Sequence, residues 1–465
     1  MPFFITGLAG LYQLQTRGYD GAGFYCVNSN GLSFQHKGEG LISDVFDRDT
    51  IAGFKDIKAS MWLYETRYGT DGATQVENVQ PIVARHVLTG ETFAVVHNGQ
   101  FSGEKGFSGG NISDTRIFAN QLAESTEDLW DKRILMMQKK KRGAWSAIVA
   151  TSESLYLMRD KYGVRPLAYG KKKNFDDVQD VWIAASETSA LRAMGVSIFF
   201  EVLPDSVIKI SKKGVEELQK SPEETTVLQA ACIFENIYIG DGRSAIHLPR
   251  ATDTEINNTL EIDDFRKRCG EILAREAPLN SQDVDIGIGV PGTGIAGGRA
   301  FSEALGIPYL QAITDRNPSN DQRTFMTPDI NDIYKLVRDH FYLYDNFLRG
   351  LRVVLIDDSI VRANITSGVI RLLKEKFGVK SVHVRVLCPP IDKGCYLGIN
   401  TRKNSELAAA RNNGDIEGIR NEIGADSLAF LSDKGLLKAA GRREGFCLGC
   451  MVNHYPPIDK KGMIL

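Results

Sequence analysis

Val353-Val354-Leu355-Ile356-Asp357-Asp358-Ser359-Ile360-Val361-Arg362-Ala363-Asn364-Ile365-Thr366-Ser367-Gly368 is the stretch on which the fold turns. Its first four residues are apolar and β-favouring, as a strand buried on both faces requires. The polar turn that follows leads into a helical pattern, Val369-Ile370-Arg371-Leu372-Leu373. Together these spell a strand, a loop and the start of a helix. At such a junction the N–H groups of the first helical turn are free and the helix dipole favours an anion, so a phosphate is the natural occupant. The hydroxyls of Ser359, Thr366 and Ser367 can add donors. Asp357 and Asp358 fall at the carboxyl end of the strand, where open α/β sheets bind ligands, and suit sugar hydroxyls or Mg²⁺. A ribose phosphate matches the combination; the plainer alternative is two acids that cap a helix.

A length of 465 residues leaves room for two or three domains of about 150 residues each. The formal net charge of −2 speaks against a nucleic-acid or membrane surface built on bulk charge and favours small-molecule chemistry. No run reaches the roughly 18 to 20 apolar residues of a membrane span, and the start lacks the pattern of a secretory signal, so a soluble cytoplasmic protein is expected. Seven cysteines are few and odd in number, which argues against a secreted disulfide framework and leaves reduced thiols or metal ligands.

Working outward, Ala22 to Val27, the turn at 28–31 and the strand to His36 predict a hairpin. Strand patterns at Thr92 to Val96, Ser146 to Thr151, Ser154 to Met158 and Val181 to Ala185 alternate with helices around Leu11 and from Asp114 to Leu122. The first half therefore predicts a layered α+β domain rich in antiparallel pairs. The basic runs Lys139 to Arg142 and Lys171 to Lys173 read as solvated turns. Near Ser221 to Thr226 the sequence turns polar and acidic, which marks a domain junction; Cys232 then opens the apolar segment Ile233 to Tyr238. Beyond it the pattern predicts a helix over Ile262 to Arg275, a strand over Val284 to Val290, a tight loop at 291–294 and a helix from Ile295 to Leu305 ended by Gly306. With the strand at 353–356, its helix to Phe377 and a strand from Ser381 to Leu387, the rhythm is that of a mostly parallel sheet.

In order along the chain stand Leu14-Gln15-Thr16-Arg17-Gly18, Arg67-Tyr68, His97-Asn98-Gly99, Ser113-Asp114-Thr115, Gly163-Val164-Arg165-Pro166-Leu167 and Ala185-Ser186-Glu187-Thr188. With the second half, this series resembles the amidophosphoribosyltransferases, the glutamine phosphoribosylpyrophosphate amidotransferases that open purine synthesis. The resemblance implies an N-terminal-nucleophile hydrolase αββα sandwich over residues 1–225, a type I phosphoribosyltransferase domain over 226–425 and a tail over 426–465. It implies that Arg67 and Asp114 hold the α-carboxylate and α-amino group of glutamine, as a guanidinium fork and an anion can. It also implies that the Asn98 side chain and the Gly99 N–H form the oxyanion hole. Taken one at a time these residues have plain readings as well: Arg67 a surface ion pair, Asn98-Gly99 a hairpin turn, Asp114 a helix cap.

The family's nucleophile is an N-terminal cysteine whose own α-amine is the base. This sequence begins Met1-Pro2-Phe3-Phe4, and by register with Arg17-Gly18 that cysteine is expected about ten residues before Met1. Cys26, inside the first hairpin, does not replace it. The expectation is thus a truncated start or a silent glutaminase, with ammonia-dependent transfer the most this sequence alone supports. In the second half the resemblance implies Mg²⁺ or ribose contacts from Thr293, Asp357 and Asp358, and a closing loop at Arg323-Thr324-Phe325. Departures from the family stand at Gly292, at Ala363-Asn364-Ile365-Thr366 in the phosphate loop, at His340 and in the spacing from Arg316 to Arg323.

Cys232, Cys395, Cys447 and Cys450 match the ligands of a 4Fe-4S cluster in the cluster-bearing branch of the family, with Cys447-Leu448-Gly449-Cys450 as the C-x-x-C pair. Without the resemblance that pair reads as a zinc or redox motif. Cys26, Cys269 and Cys388 read as packing residues. The expectation is an amidophosphoribosyltransferase that uses Mg²⁺ and a 4Fe-4S cluster, takes phosphoribosylpyrophosphate with glutamine or ammonia, forms a homo-oligomer, and binds neither nucleic acid nor membrane. The competing expectations are a catalytically impaired paralogue that binds nucleotides or regulates, and a related phosphoribosyltransferase with another acceptor.

Overall fold

A computed structural model describes residues 3–28, 30–69, 75–102, 112–172, 180–221, 230–246, 260–315, 341–343, 347–401 and 403–456. In the first half, β2 (Ser33–Glu39), β1 (Gly21–Val27) and β3 (Met61–Arg67) form an antiparallel sheet in that order. A second antiparallel sheet runs β12 (Gly214–Gln219), β11 (Val207–Ser211), β7 (Ser154–Arg159), β6 (Arg142–Ala150), β5 (Thr92–Ser102), β4 (Ile82–Arg85). A third, β10 (Phe199–Glu201), β8 (Ala168–Lys172) and β9 (Val181–Ala185), completes the set.

Side-chain alternation decides how these layers stack. Tyr25, Val27 and Leu63 of the first sheet meet Ala94, Val96 and Ala150 of the second, so two sheets lie face to face. The helix Phe3–Gln13 covers the outside of the first sheet, where Phe4 and Phe24 rings sit 5.4 Å apart. On the opposite outer face Phe118, Leu122, Ile134 and Met137, from the helices Asp114–Ala123 and Trp130–Lys140, pack on Phe93, Phe101 and Trp145. The result is the αββα sandwich expected of an N-terminal-nucleophile hydrolase.

In the second half β14 (Ile286–Gly289), β17 (Arg352–Asp357), β18 (Ser381–Val386) and β19 (Ser427–Phe430) form an all-parallel sheet. Val353 to Ile356 are fully buried, because the crossovers between parallel strands cover both faces. The helices Ile262–Glu276, Gly294–Leu305 and Asn364–Arg371 supply cover, with Gly306 in the left-handed conformation at φ 66° closing the second. This is the parallel architecture that the resemblance to a phosphoribosyltransferase implies for this half. Short strands β15 (Ile313–Asp315) and β16 (Phe341–Leu343) pair beside it, and β13 (Ala231–Cys232) pairs in parallel with β20 (Phe446–Cys447). The core of this half also takes in Ala144, Tyr162 and Val164 from the first.

The apolar segment Ile233 to Tyr238 folds as a helix, and one local expectation is corrected. Asn98-Gly99 is no hairpin turn, for β5 runs straight through it from Thr92 to Ser102. Among the described residues no helix is long and apolar enough to cross a membrane.

Candidate functional site

The ladder between β5 and β6 sets the geometry of the first site. In an antiparallel pair successive N–H groups point to opposite sides. The His97 N–H donates away from β6 to Gln80 Oε1 at 2.6 Å, and the Phe101 N–H donates to Asp114 Oδ2 at 3.1 Å. The Gly99 N–H, between them in the alternation, turns the same way. Trp145, paired with Gly99, commits its N–H and C=O to Asp160 at 3.0 and 2.9 Å, which agrees with that register. Gly99 takes φ 120°, and a Cβ there would lie 2.1 Å from the Ala144 carbonyl oxygen, so only glycine fits. Asn98 Nδ2 is buried with no partner among the described residues.

Asp114 opens its helix behind the Ser113 cap and accepts from the Thr115 N–H at 2.8 Å as well as from Phe101. A carboxylate has lone pairs to spare after two such bonds. Arg67 is 5 % exposed and donates to the Asn78 carbonyl, so it is not a surface ion pair. His97 Nδ1 lies 3.1 Å from Thr115 Oγ1, and burial lowers the pKa of the ring against the upward pull of Asp114. Arg67, Asn98, Gly99 and Asp114 line one cavity of ≈ 1120 Å³, which also touches the edge strands β3 and β9 and reaches Val361, Arg362 and Gly398 to Thr401. Cys26 lies in β1, fully buried, its thiol pushed up to about 12 by burial.

The second site gathers at the carboxyl end of β17. Asp357 accepts from Thr366 Oγ1 and the Asp358 N–H, both at 2.9 Å. Asp358 accepts from Ser359 Oγ at 2.7 Å and from Thr293 Oγ1. Burial raises the pKa of both acids, and for Asp357 the charge of Asp358 adds to the rise. The acids do not cap the following helix, whose N-cap is Ala363, with no side-chain cap bond. Ser367 Oγ donates to the Asn364 carbonyl at 3.0 Å, so the three loop hydroxyls are turned inward here. Asp357, Asp358 and Thr293 do not line the large cavity, which ends near them at Val361 and Arg362. Arg323, Thr324, Arg316 and His340 lie outside the described residues.

Four cysteines share one neighbourhood. Cys232 and Cys447 are direct partners across β13 and β20. The Cys450 carbonyl accepts from the Asp392 and Lys393 N–H groups at 3.0 and 3.2 Å, close by Cys395 in the chain. Burial raises the pKa of Cys232, Cys447 and Cys450, and Cys395 adds to the rise of each. Among the described residues no three His, Cys, Asp or Glu side chains are arranged to hold a metal ion. Cys269 and Cys388 are fully buried, as packing residues are.

One group escaped the sequence. Arg17 pairs with Glu187 and with Glu235, each at 2.5 Å, and Arg165 pairs with Glu235 at 3.0 Å. Arg17, Arg165 and Glu187 stood in motifs without a role, and Glu235 stood in an apolar segment far along the chain, with no local signal.

A hydrolase sandwich whose cavity carries Arg67, Asn98, Gly99 and Asp114, joined to a parallel sheet with an acidic pair at the end of one strand, is the architecture of a glutamine amidotransferase coupled to a phosphoribosyltransferase. A family model described as a glutamine amidotransferase domain matches residues 73–193. The chloroplastic amidophosphoribosyltransferase of Vigna aconitifolia is 33 % identical over 464 residues, covering 96 % of this chain and 87 % of that protein. The Bacillus subtilis amidophosphoribosyltransferase is 31 % identical, covering 96 % and 90 %. The solved glutamine phosphoribosylpyrophosphate amidotransferase from B. subtilis, complexed with ADP and GMP, superposes with a TM-score of 0.80 at 30 % identity, covering 97 % of this chain and 94 % of that one. The chain belongs to the amidophosphoribosyltransferase family.

Proposed function

We propose that this protein forms phosphoribosylamine from phosphoribosylpyrophosphate and ammonia, the ammonia coming from glutamine or from solution. The observation that carries the reading is the single cavity that runs from Arg67, Asn98, Gly99 and Asp114 to Val361 and Arg362, beside the Asp357-Asp358 loop. In this reading residues 1–225 are the glutaminase half, 226–425 the transferase half and 426–465 the tail.

Arg67 takes the α-carboxylate of glutamine and Asp114 its α-amino group. The carboxamide oxygen then faces Asn98 Nδ2 and the Gly99 N–H, two donors fixed before the reaction and aimed where negative charge develops. Ammonia released there crosses by this cavity toward Val361 and Arg362. In the second half Asp357, Asp358 and Thr293 offer hard oxygens, and Mg²⁺ on a pyrophosphate needs only one or two carboxylates from protein. Mg²⁺ supplies charge stabilisation on the leaving pyrophosphate. Ser359, Thr366 and Ser367, whose hydroxyls bond inward here, would turn to take the ribose and its 5′-phosphate. Ammonia forms the new C–N bond at the anomeric carbon as the C–O bond to pyrophosphate breaks.

For a 4Fe-4S cluster the donor chemistry is right, though the four side chains are not set in a metal-holding array here: Cys232, Cys395 and Cys447, buried, and Cys450, half-buried, share one neighbourhood beside the Arg165 guanidinium, which would offset negative charge on the thiolates. Its role is structural, tying the tail to the junction of the two halves.

The test is pyrophosphate release from Mg²⁺-phosphoribosylpyrophosphate by anaerobically purified protein, with ammonium and glutamine offered in parallel. Release with ammonium is expected, and release with glutamine would add a working first half. Folded protein silent with both would overturn the reading.

A further inference from the structure

Gly398 sits in the loop between Cys395 and Thr401 with φ 95°. A Cβ there would lie 2.8 Å from Arg165 Nη2 and 3.1 and 3.2 Å from the carbonyl carbon and Cα of Gly99. A loop of the second half therefore rests, backbone to backbone, on the glycine whose N–H is read above as an oxyanion donor.

The loop is held from several sides. Arg165 Nη2 donates to the Leu397 carbonyl at 2.6 Å while Nη1 pairs with Glu235. The Cys395 N–H donates to the Thr401 carbonyl at 3.1 Å, and the Leu397 N–H to Cys395 Sγ at 3.3 Å. Arg362 Nη2 reaches the Asn400 carbonyl at 3.4 Å. Gly99 itself has no side chain to fix its peptide, and its N–H points away from the β6 ladder. What locates that peptide is what presses on it: Ala144 and Trp145 on one side and Gly398 on the other.

We infer that Gly398 and Arg165 are positioning residues for the oxyanion hole, so that the second half completes the amide-cleaving site of the first. The inference rests on the glutamine reading of Asn98 and Gly99. An oxyanion donor acts only when aimed at the developing charge, and a misplacement of about 1 Å costs on the order of 10²-fold in rate.

The sequence holds three Asn-Gly pairs, Asn30-Gly31, Asn98-Gly99 and Asn413-Gly414. Labelling the full chain with carbonyl-¹³C asparagine and ¹⁵N glycine therefore reads the Gly99 amide directly by NMR, with Asn98→Asp giving the assignment. Gly398→Ala and Arg165→Lys are expected to shift or broaden the Asn98-Gly99 peak and leave the other two in place. Arg165→Lys is the milder change, keeping a charge near Glu235 while losing the fork that holds Leu397. Where pyrophosphate release with glutamine is found, that turnover is expected to fall in kcat by on the order of 10²-fold in both variants, with KM within about twofold. An Asn98-Gly99 peak unmoved in both variants overturns the inference. So does a collapse of all three peaks in both, which assigns Gly398 and Arg165 to the fold at large. A wild-type Asn98-Gly99 peak that ignores added L-glutamine sinks the glutamine reading and leaves the positional result to stand or fall separately.

Discussion

At Ala363 the backbone takes φ 68° and ψ −8°, a left-handed conformation that glycine adopts freely and alanine does not. The conformation costs an L-residue roughly 1–2 kcal/mol. The loop between Asp358 and the helix at Asn364 keeps its path at that cost, so Ala363→Gly is expected to stabilise the protein by about 1 kcal/mol, read as a higher urea midpoint. An unchanged or lower midpoint would mean that the buried methyl offsets the strain. Glu65, two residues before Arg67 on the same face of β3, presents a charge problem instead. Burial pushes its carboxyl up to about 8, against the downward pull of Arg67. Its folded pKa lies above the unfolded value of about 4.3, so the folded state favours the neutral acid. That contribution is complete below the unfolded pKa and is lost as pH rises through 8. Glu65→Gln should therefore flatten the fall in stability between about pH 5 and 8, and equal slopes in thermal melts of the two proteins would refute the assignment.

Between elements, the helix Ile233–Tyr238 carries Glu235 into a buried chain that links Glu187, Arg17, Glu235 and Arg165. Removing one member of a buried ion pair leaves the other uncompensated, at about 3–5 kcal/mol. Glu235→Ala takes the paired carboxylate from Arg165 and one of two from Arg17, which keeps Glu187, so denaturant unfolding should show a loss within that range. Glu235→Gln, which keeps an acceptor, should lose less, and a loss under about 1 kcal/mol for Glu235→Ala would show the chain to be ornamental. Local pattern made much of this scale legible. The apolar run at 353–356, the Gly306 stop and the helix at Asp114 each carry their own signal, and all three stand where they were expected. What pattern missed lacks one. β13 and β20 are two residues each, too short for a period, and β5 continues through Asn98-Gly99 because a glycine with φ 120° still holds its place opposite Trp145. Arg17 and Glu235 meet across more than two hundred residues, which no local window spans.

At the scale of the whole molecule, the cavity that runs from Arg67, Asn98, Gly99 and Asp114 to Val361 and Arg362 was not legible, because a cavity belongs to no segment of sequence. The same holds for the cysteines. Spacing marks Cys447 and Cys450 as a pair, yet only folding brings Cys232 opposite Cys447 and Cys450 near Cys395. Four such thiols, three of them on buried residues, can serve as plain core or as a metal-bound staple, and the two make different demands on stability. Core thiols contribute packing alone, and Cys447→Ser then leaves one unsatisfied hydroxyl at about 1–3 kcal/mol. A bound cluster makes its binding free energy part of folding, because the ligands come from segments that unfolding separates. Cys447→Ser is then expected to lose iron and visible absorbance together, to lower the melting temperature of anaerobic protein, and to expose the segment after Ala440 as the first site of proteolysis. Cys269→Ser, changed within the core away from the four, should keep its iron. Wild-type protein free of iron after anaerobic purification, melting with Cys447→Ser, would reduce the four cysteines to packing.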